Sequence, residues 1–333
     1  MNASETIQLQ HRVSVVVPVY NSQESLPLLI ERLQPVIRPE QTGSEVILVD
    51  DGSVDQSWQV IERLAIAHPF VRGMRLMRNY GQHNALLSGI RAAHHDVVVT
   101  IDDDLQNPPE EILKLLSKLD EGYDVVYGTP VHEQHGLWRD VASRTTKLVL
   151  QKAMGAATAE KISAFRAFRT RLRESFEAYR GPYVSIDVML TWGTTRFALV
   201  VVRHEPRMIG VSNYTLGRLV RHAVNMLTGF TAIPLRLASI VGFVFTGVGF
   251  LLLMFVIGRY LIEGTEVPGF AFLACTVIIL SGAQLFVIGI IGEYLARMHF
   301  RLMDQPAYVV SSWTVSAAER EQAPGHMTST RHK

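Results

Sequence analysis

Apolar residues along this chain follow two regimes. Up to about residue 202, short runs rich in valine and isoleucine alternate with longer stretches in which leucine and isoleucine recur every three or four positions. The runs at 13–19, 45–49, 71–77, 97–101, 123–127 and 198–202 predict strands covered on both faces. The stretches at 22–37, 54–67, 108–120 and from about 82 to 93 each carry one apolar stripe, such as Leu26, Leu29, Ile30 and Leu33, and predict amphipathic helices. Strand giving way to helix again and again predicts an α/β fold, with a mostly parallel sheet, right-handed crossovers and helices on both faces. Pro18 marks the end of the first strand.

Beyond residue 233 the pattern changes. Arg236 and Arg259 enclose about 22 uncharged residues, and Glu266 and Glu293 about 26. Each stretch is long enough to cross a bilayer core of about 30 Å. The spans fall at about 237–258 and 269–292, in a hairpin covering 233–296. Residues 214–232 put Leu216, Leu219, Val220, Val224 and Leu227 on one face and arginines on another, which predicts a juxtamembrane helix lying among the headgroups. The expected order is a polar tail (1–12), a soluble domain (13–213), the interfacial helix, the hairpin, and a polar C-terminal tail (297–333), disordered after Trp313. Arg203, Arg207, Arg218, Arg221 and Arg236 precede the first span, and Arg297 and Arg301 follow the second, which predicts that both ends are cytoplasmic. The polar start, without a basic segment and apolar core, predicts no signal peptide.

Composition sharpens this outline. Apolar residues make up 48% of the chain and the mean hydropathy is +0.16, an excess concentrated in the last third. Lys and Arg number 32 against 31 Asp and Glu, which argues against a general nucleic-acid-binding surface. The single cysteine, Cys275, excludes an internal disulfide and a cysteine metal cluster, and its apolar surroundings predict a buried hydrophobe.

In open α/β sheets, ligands sit at the carboxyl ends of the strands. Here those ends carry Tyr20-Asn21 after the first strand, Asp50-Asp51 after the second and Asp102-Asp103-Asp104 after the fourth, while Arg78–Asn84 leads from the third strand into a helix. Alternation along an extended segment turns Asp102 and Asp104 to one side and Asp103 elsewhere. Two hard oxygen ligands at a strand end suit Mg²⁺ or Mn²⁺ carrying a diphosphate; a solvated acidic turn is the alternative. Asn107 as N-cap, Pro108 and Pro109 in the first turn, and Glu110 and Glu111 facing the positive helix end would start the next helix. Asp51 suits the imino hydrogen of a uracil ring, or equally a turn and N-cap. Neither a dinucleotide-binding glycine fingerprint nor a P-loop is present. Arg139, Ser143, Arg144 and Lys147 either grip a phosphate or form a wet basic helix face. Residues 161–173, basic with interleaved phenylalanines, fit a sheet-edge strand or a helix packed under the site better than single-stranded nucleic acid.

The series VVVPVYN, VDDGS, RNYGQHNA, DDDLQNPPEEI, R-x-x-G-x-S-x-Y and PLR ahead of two spans resembles family-2 glycosyltransferases of the polyprenyl-phosphate type. Dolichol-phosphate mannose synthases and bacterial undecaprenyl-phosphate glycosyltransferases belong there. RNYGQH, DLQNPPEEI with DEGYDVV, and GAQ…GEYLAR are most similar to the branch that carries 4-deoxy-4-formamido-L-arabinose. The resemblance covers 13–308. It implies a GT-A fold that moves a sugar, with inversion, from a UDP-type nucleotide donor to a polyprenyl phosphate at the inner membrane, for a cell-envelope glycan or lipid A, in a homo-oligomer such as a tetramer.

Carried over residue by residue, Asp50 and Asp51 would bind the base or ribose. Pro18, Tyr20, Asn21, Asn79, Gly81, Gln82, Asp102 and Asp103 would line the donor site. Asp102, Asp104 and Gln106 would hold Mg²⁺ or Mn²⁺ and the diphosphate. Arg139, Ser143, Arg207 and Tyr214 would hold the acceptor phosphate, so that catalysis rests on Asp104, Arg207, Arg139 and Ser143. Three positions depart from the family pattern: Ser22 for glutamate, Pro130 for arginine and Asn213 for lysine. They motivate the alternative of a catalytically silent scaffold that binds a nucleotide sugar, against which the Asp102/Asp104 pair stands. A processive polysaccharide synthase would need a Gln-x-x-Arg-Trp motif and more spans.

Overall fold

The computed structural model describes residues 11–130, 162–181, 184–206, 233–263, 269–303 and 305–314. The chain divides into two compact units, Met1–Tyr214 with Pro306–Lys333, and Thr215–Gln305.

The first unit is built on an eight-stranded sheet ordered β7-β5-β6-β4-β1-β2-β3-β8. Its strands are β1 (Val13–Val19), β2 (Glu45–Asp50), β3 (Val71–Leu76), β4 (Val97–Thr100), β5 (Val125–Pro130), β6 (Arg166–Arg169), β7 (Phe197–Val202) and β8 (Val310–Trp313). The helices are α1 (Leu26–Ile37), the single turn α2 (Pro39–Thr42), α3 (Ser57–Ala67), α4 (Gln82–Ala92), α5 (Ile112–Asp120) and α6 (Ile186–Gly193). β4, β1, β2 and β3 run parallel, as do β5 and β7. β6 and β8 run antiparallel to their neighbours.

Strand β1 is buried along its whole length, because both faces are covered. Val13, Val15, Val17 and Val19 join the apolar stripes of α1, α3 and α5 in one core. On the opposite face Val16 meets α4, and only a glycine fits there: a Cβ on Gly89 would lie 2.4 Å from Val16 Cγ1 and 3.0 Å from Val49 Cγ2. Gly89→Ala is therefore expected to cost about 1–3 kcal/mol by overpacking. Thermal unfolding of the purified protein would register this as a lowered melting temperature.

Two expectations from sequence need correction. Residues 166–169 form no edge strand. They are inserted in the sheet interior between β4 and β5, pairing Val97 with Arg169 through Thr100 with Arg166. Asn107 does not cap the following helix: a 3₁₀ turn, Pro109–Glu111, comes first, and Pro108 stands at its start in extended backbone. Glu110 and Glu111 do stand in that first turn, as expected, and in addition pair with arginines, Glu110 with Arg32 at 2.9 Å and Glu111 with Arg203 at 2.7 Å.

A further strand, β8, was not legible at all. It closes the β3 edge, with Met77 N–H donating to the Val309 carbonyl and Thr314 N–H to the Gly73 carbonyl, each at 2.9 Å. Trp313 lies under the Arg72 guanidinium, 5.3 Å from its ring centre. The polar tail expected after Trp313 falls, beyond Thr314, outside the described residues.

The second unit holds α7 (Ile233–Glu263, 31 residues) and α8 (Phe270–Leu302, 33 residues). Both are long and apolar enough to cross a membrane. Large apolar side chains including Phe243, Leu251, Ile262 and Leu285 are exposed on them. The interfacial helix expected over 214–232 lies outside the described residues.

Candidate active site

Three loops at the carboxyl ends of β1, β2 and β3 are stitched into one cradle. Asn21 takes a left-handed backbone at φ 56°, which asparagine tolerates better than most residues. Its N–H donates to Ser53 Oγ at 3.0 Å, and its side-chain oxygen accepts from Val54 N–H at 2.9 Å. The Asp51 carboxylate reaches the third loop, accepting from the Tyr80 and Gly81 amides at 2.7 and 2.8 Å. Gly52, at φ +71°, lets these loops meet, since a Cβ there would lie 2.6 Å from the Arg78 carbonyl carbon. Burial pushes the Asp51 carboxyl up to about 6, against the pull of those two amide bonds. Asp51→Ala removes both acceptors, so amide hydrogen exchange at Tyr80 and Gly81 is expected to accelerate by about tenfold or more.

Asp50 is more interior than its neighbour. It is fully buried, accepts from Ser53 N–H at 2.9 Å and pairs with Arg75 at 3.2 Å. Its partners tie β2 to β3 beneath the cradle, whereas Asp51, also buried, binds the amides of the third loop. Pro18 lies inside buried β1, while Tyr20 is exposed at the rim. Asn79 and Gly81 belong to the third loop.

The acidic run leaves β4 at Thr100, so a turn rather than a pleat separates its side chains. Asp102 Oδ1 accepts from Gln82 Nε2 at 2.7 Å, at the start of α4. Asp103 is turned towards Ser22 and the Tyr20 backbone. Asp104 Oδ1 accepts from Gln106 N–H at 3.2 Å. Leu105, with φ 59° and no exposed surface, anchors this turn in the core. Burial, reinforced by Asp104 and Asp103, pushes the Asp102 carboxyl up to about 7, against Arg166 and the Gln82 bond. Asp103 is pushed to about 6, chiefly by burial and opposed by the Ser22 bond.

Beneath the run sits a charged group that the sequence did not suggest. Arg166 is 1% exposed and ion-paired with Asp187, and its Nε donates to Thr100 Oγ1 at 3.2 Å. The buried Tyr127 hydroxyl donates to the same Asp187 at 3.0 Å. The available signal was a charge inside an apolar run, Arg166 in FRAF and Asp187 in IDVML. Such residues are rarely buried without a partner.

Of the residues singled out from sequence, the structure brings Tyr20, Asn21, Asp51, Asn79, Gly81, Gln82, Asp102, Asp103, Asp104 and Gln106 to this edge of the sheet, with Asp50 and Pro18 behind them. Arg139, Ser143, Arg207, Asn213 and Tyr214 lie outside the described residues.

Donor chemistry fits a small divalent cation. Among the described residues, no three His, Cys, Asp or Glu side chains converge as a closed cage. Two neighbouring carboxylates suit an ion that fills the rest of its shell with water and substrate phosphates. Burial first, and then the neighbouring Asp104 and Asp103 carboxylates, disfavour a bare negative charge on Asp102, and a cation there would favour it.

A largely parallel sheet whose strand ends gather an Asp-Gly-Ser loop and a run of aspartates defines a transferase domain of the GT-A type. The model for "Glycosyl transferase family 2" matches residues 14–180. The chain belongs to this family, and it is a glycosyltransferase. It is 36% identical over 324 residues to the undecaprenyl-phosphate 4-deoxy-4-formamido-L-arabinose transferase of Yersinia enterocolitica, covering 96% of this chain and 98% of that one. It is 37% identical over 309 residues to the enzyme of the same name from Pectobacterium atrosepticum, covering 92% and 94%. Among solved structures, glucosyl-3-phosphoglycerate synthase from Mycobacterium tuberculosis, in complex with Mn²⁺, UDP and phosphoglyceric acid, aligns with a TM-score of 0.49 at 20% identity, covering 66% of this chain and 77% of that one. That likeness is too loose to transfer anything to this chain.

Proposed function

We propose that this glycosyltransferase moves one sugar from a UDP-type nucleotide donor to undecaprenyl phosphate, or a similar polyprenyl phosphate, at the cytoplasmic face of the inner membrane. The observation that carries this is the run of neighbouring carboxylates, Asp102 to Asp104, beside the Asp51 cradle, in a chain that also holds two apolar helices of membrane-spanning length. The names of the relatives point to the same acceptor. Among the sugars, 4-deoxy-4-formamido-L-arabinose is the first to test.

Asp102 and Asp104 would hold Mg²⁺ or Mn²⁺, which supplies charge stabilisation for the departing diphosphate. The chain's own residues do the rest. The cradle formed by Asn21, Asp51 and the Tyr80–Gly81 loop holds the nucleoside, and Gln82 fixes Asp102. By the family pattern, Arg139, Ser143, Arg207 and Tyr214 hold the acceptor phosphate in line. No side chain has to act as base, because a phosphate monoester is already anionic near neutral pH. Its oxygen forms the bond to the anomeric carbon as the bond from that carbon to the nucleoside diphosphate breaks, with inversion. Holding two anions in line is the main task, and positioning with charge neutralisation accomplishes it.

Strand β8 supports the proposed topology. It follows both apolar helices in sequence yet pairs with β3, so the segments flanking the hairpin belong on one side of the membrane, as two crossings would leave them.

Purified protein reconstituted with undecaprenyl phosphate, Mn²⁺ and a panel of labelled UDP-sugars should move label into the organic phase for one donor, and only when the lipid is present. Label that stays in the aqueous phase with every donor would overturn the proposal.

A further inference from the structure

After β7 the chain passes through Arg203, His204, Glu205 and Pro206, and there it touches the acidic turn. Glu205 N–H donates to the Gln106 carbonyl at 2.8 Å, and Gln106 N–H donates to Asp104 Oδ1 at 3.2 Å. A single residue, Gln106, thus links the backbone of residue 205 to the carboxylate of Asp104 through the two peptide groups that flank it. We propose that Glu205, through its backbone N–H, is a positioning residue that sets the orientation of Asp104; this deepens the transferase function proposed above and rests on it.

The turn needs outside support. Leu105 holds a left-handed backbone with a branched, fully buried side chain, a conformation that persists only where its surroundings fix it. The β7 exit is itself clamped. Glu111 accepts from Arg203 Nε at 2.7 Å, from Arg203 N–H at 3.3 Å and from Lys114 at 2.5 Å. Burial would push the Glu111 carboxyl up, and the bonds from Lys114 and Arg203 outweigh it and hold it below the usual range. Arg32 spans Glu110 at 2.9 Å and Glu205 at 3.4 Å. Proposed donor and acceptor contacts make no use of these groups. Their common effect is to present one N–H to the Gln106 carbonyl.

The test separates the backbone donor from the side chain in full-length protein. Residue 205 precedes a proline and is therefore already confined to extended backbone, so Glu205→Pro removes the donor with little other change. Glu205→Ala keeps it. Binding of Mn²⁺ alone is read by electron paramagnetic resonance of the free ion, and folding by the melting temperature. Glu205→Pro is expected to weaken Mn²⁺ binding about tenfold and Arg203→Ala about threefold, with Glu205→Ala within about twofold of the parent. Melting temperatures should stay close to that of the parent, which a purely structural contact would not allow. Unchanged binding in Glu205→Pro, or equal weakening in Glu205→Ala, overturns the inference. Should Glu205→Pro fail to fold, unchanged binding in Arg203→Ala overturns it instead. Asp104→Ala keeps the two levels apart: retained Mn²⁺ binding there would overturn the metal role itself, whereas lost binding there with unaffected Glu205→Pro would overturn only the positioning role of Glu205.

Discussion

Asp104→Ala is expected to reduce sugar transfer to lipid phosphate about a thousandfold while the protein stays folded. Its carboxylate lies beside Asp102 and Asp103, and burial together with this crowding raises the Asp102 carboxyl, so removal relieves repulsion while it takes away the acceptor of Gln106 N–H. Stability should therefore fall by no more than about 1 kcal/mol. Transfer should collapse because charge stabilisation of a leaving diphosphate is worth several kcal/mol, and each 1.36 kcal/mol is a factor of about ten in rate. Steady-state rates and calorimetric unfolding of the same preparation separate the two effects. A melting temperature that fell steeply along with activity would place Asp104 among the structural residues.

The opposite pattern is expected at Asp187. Asp187→Ala strands the Arg166 guanidinium, which is 1% exposed, and deprives the buried Tyr127 hydroxyl of its acceptor. Breaking one side of such a buried pair costs about 3–5 kcal/mol. For a domain of this size that corresponds to a melting temperature lower by roughly 10 °C. Replacing both partners with apolar residues of similar volume, as in Arg166→Met with Asp187→Leu, should recover most of the loss, because no uncompensated charge remains. Calorimetry of the single and double variants checks this. A double variant no better than the single one would show that the cost arises from packing and not from charge.

These two sites also mark what the sequence could and could not reveal. The parallel strands were legible because burial on both faces leaves long valine-rich runs, and β1 is indeed buried from Val13 to Val19. The acidic turn was legible because three carboxylates after such a run have few other uses. For residues 161–173 the sequence left an edge strand or a helix under the site; strand β6 lies inside the sheet because Arg166 is buried against Asp187, 21 positions away, and no local pattern encodes that pairing. Strand β8 was missed because a four-residue strand in a polar tail carries almost no period, and its partner β3 lies more than 230 residues earlier. Asn107 was taken as a cap on residue type alone, where the two prolines that follow impose a 3₁₀ turn first. That Tyr20, Asn21 and Asp51 share one edge of the sheet was legible because strand ends in a parallel sheet converge there. How Asp51 acts was not visible, since its partners are backbone amides of another loop.

The most direct measurement is the stoichiometry of one turnover. Protein reconstituted with undecaprenyl phosphate, Mn²⁺ and the donor that passes the labelling screen should yield, by mass spectrometry, lipid phosphate heavier by a single glycosyl unit, with one nucleoside diphosphate released per molecule. Release of a nucleoside monophosphate, or growth of a polymer on the lipid, would contradict displacement at the anomeric carbon by the lipid phosphate.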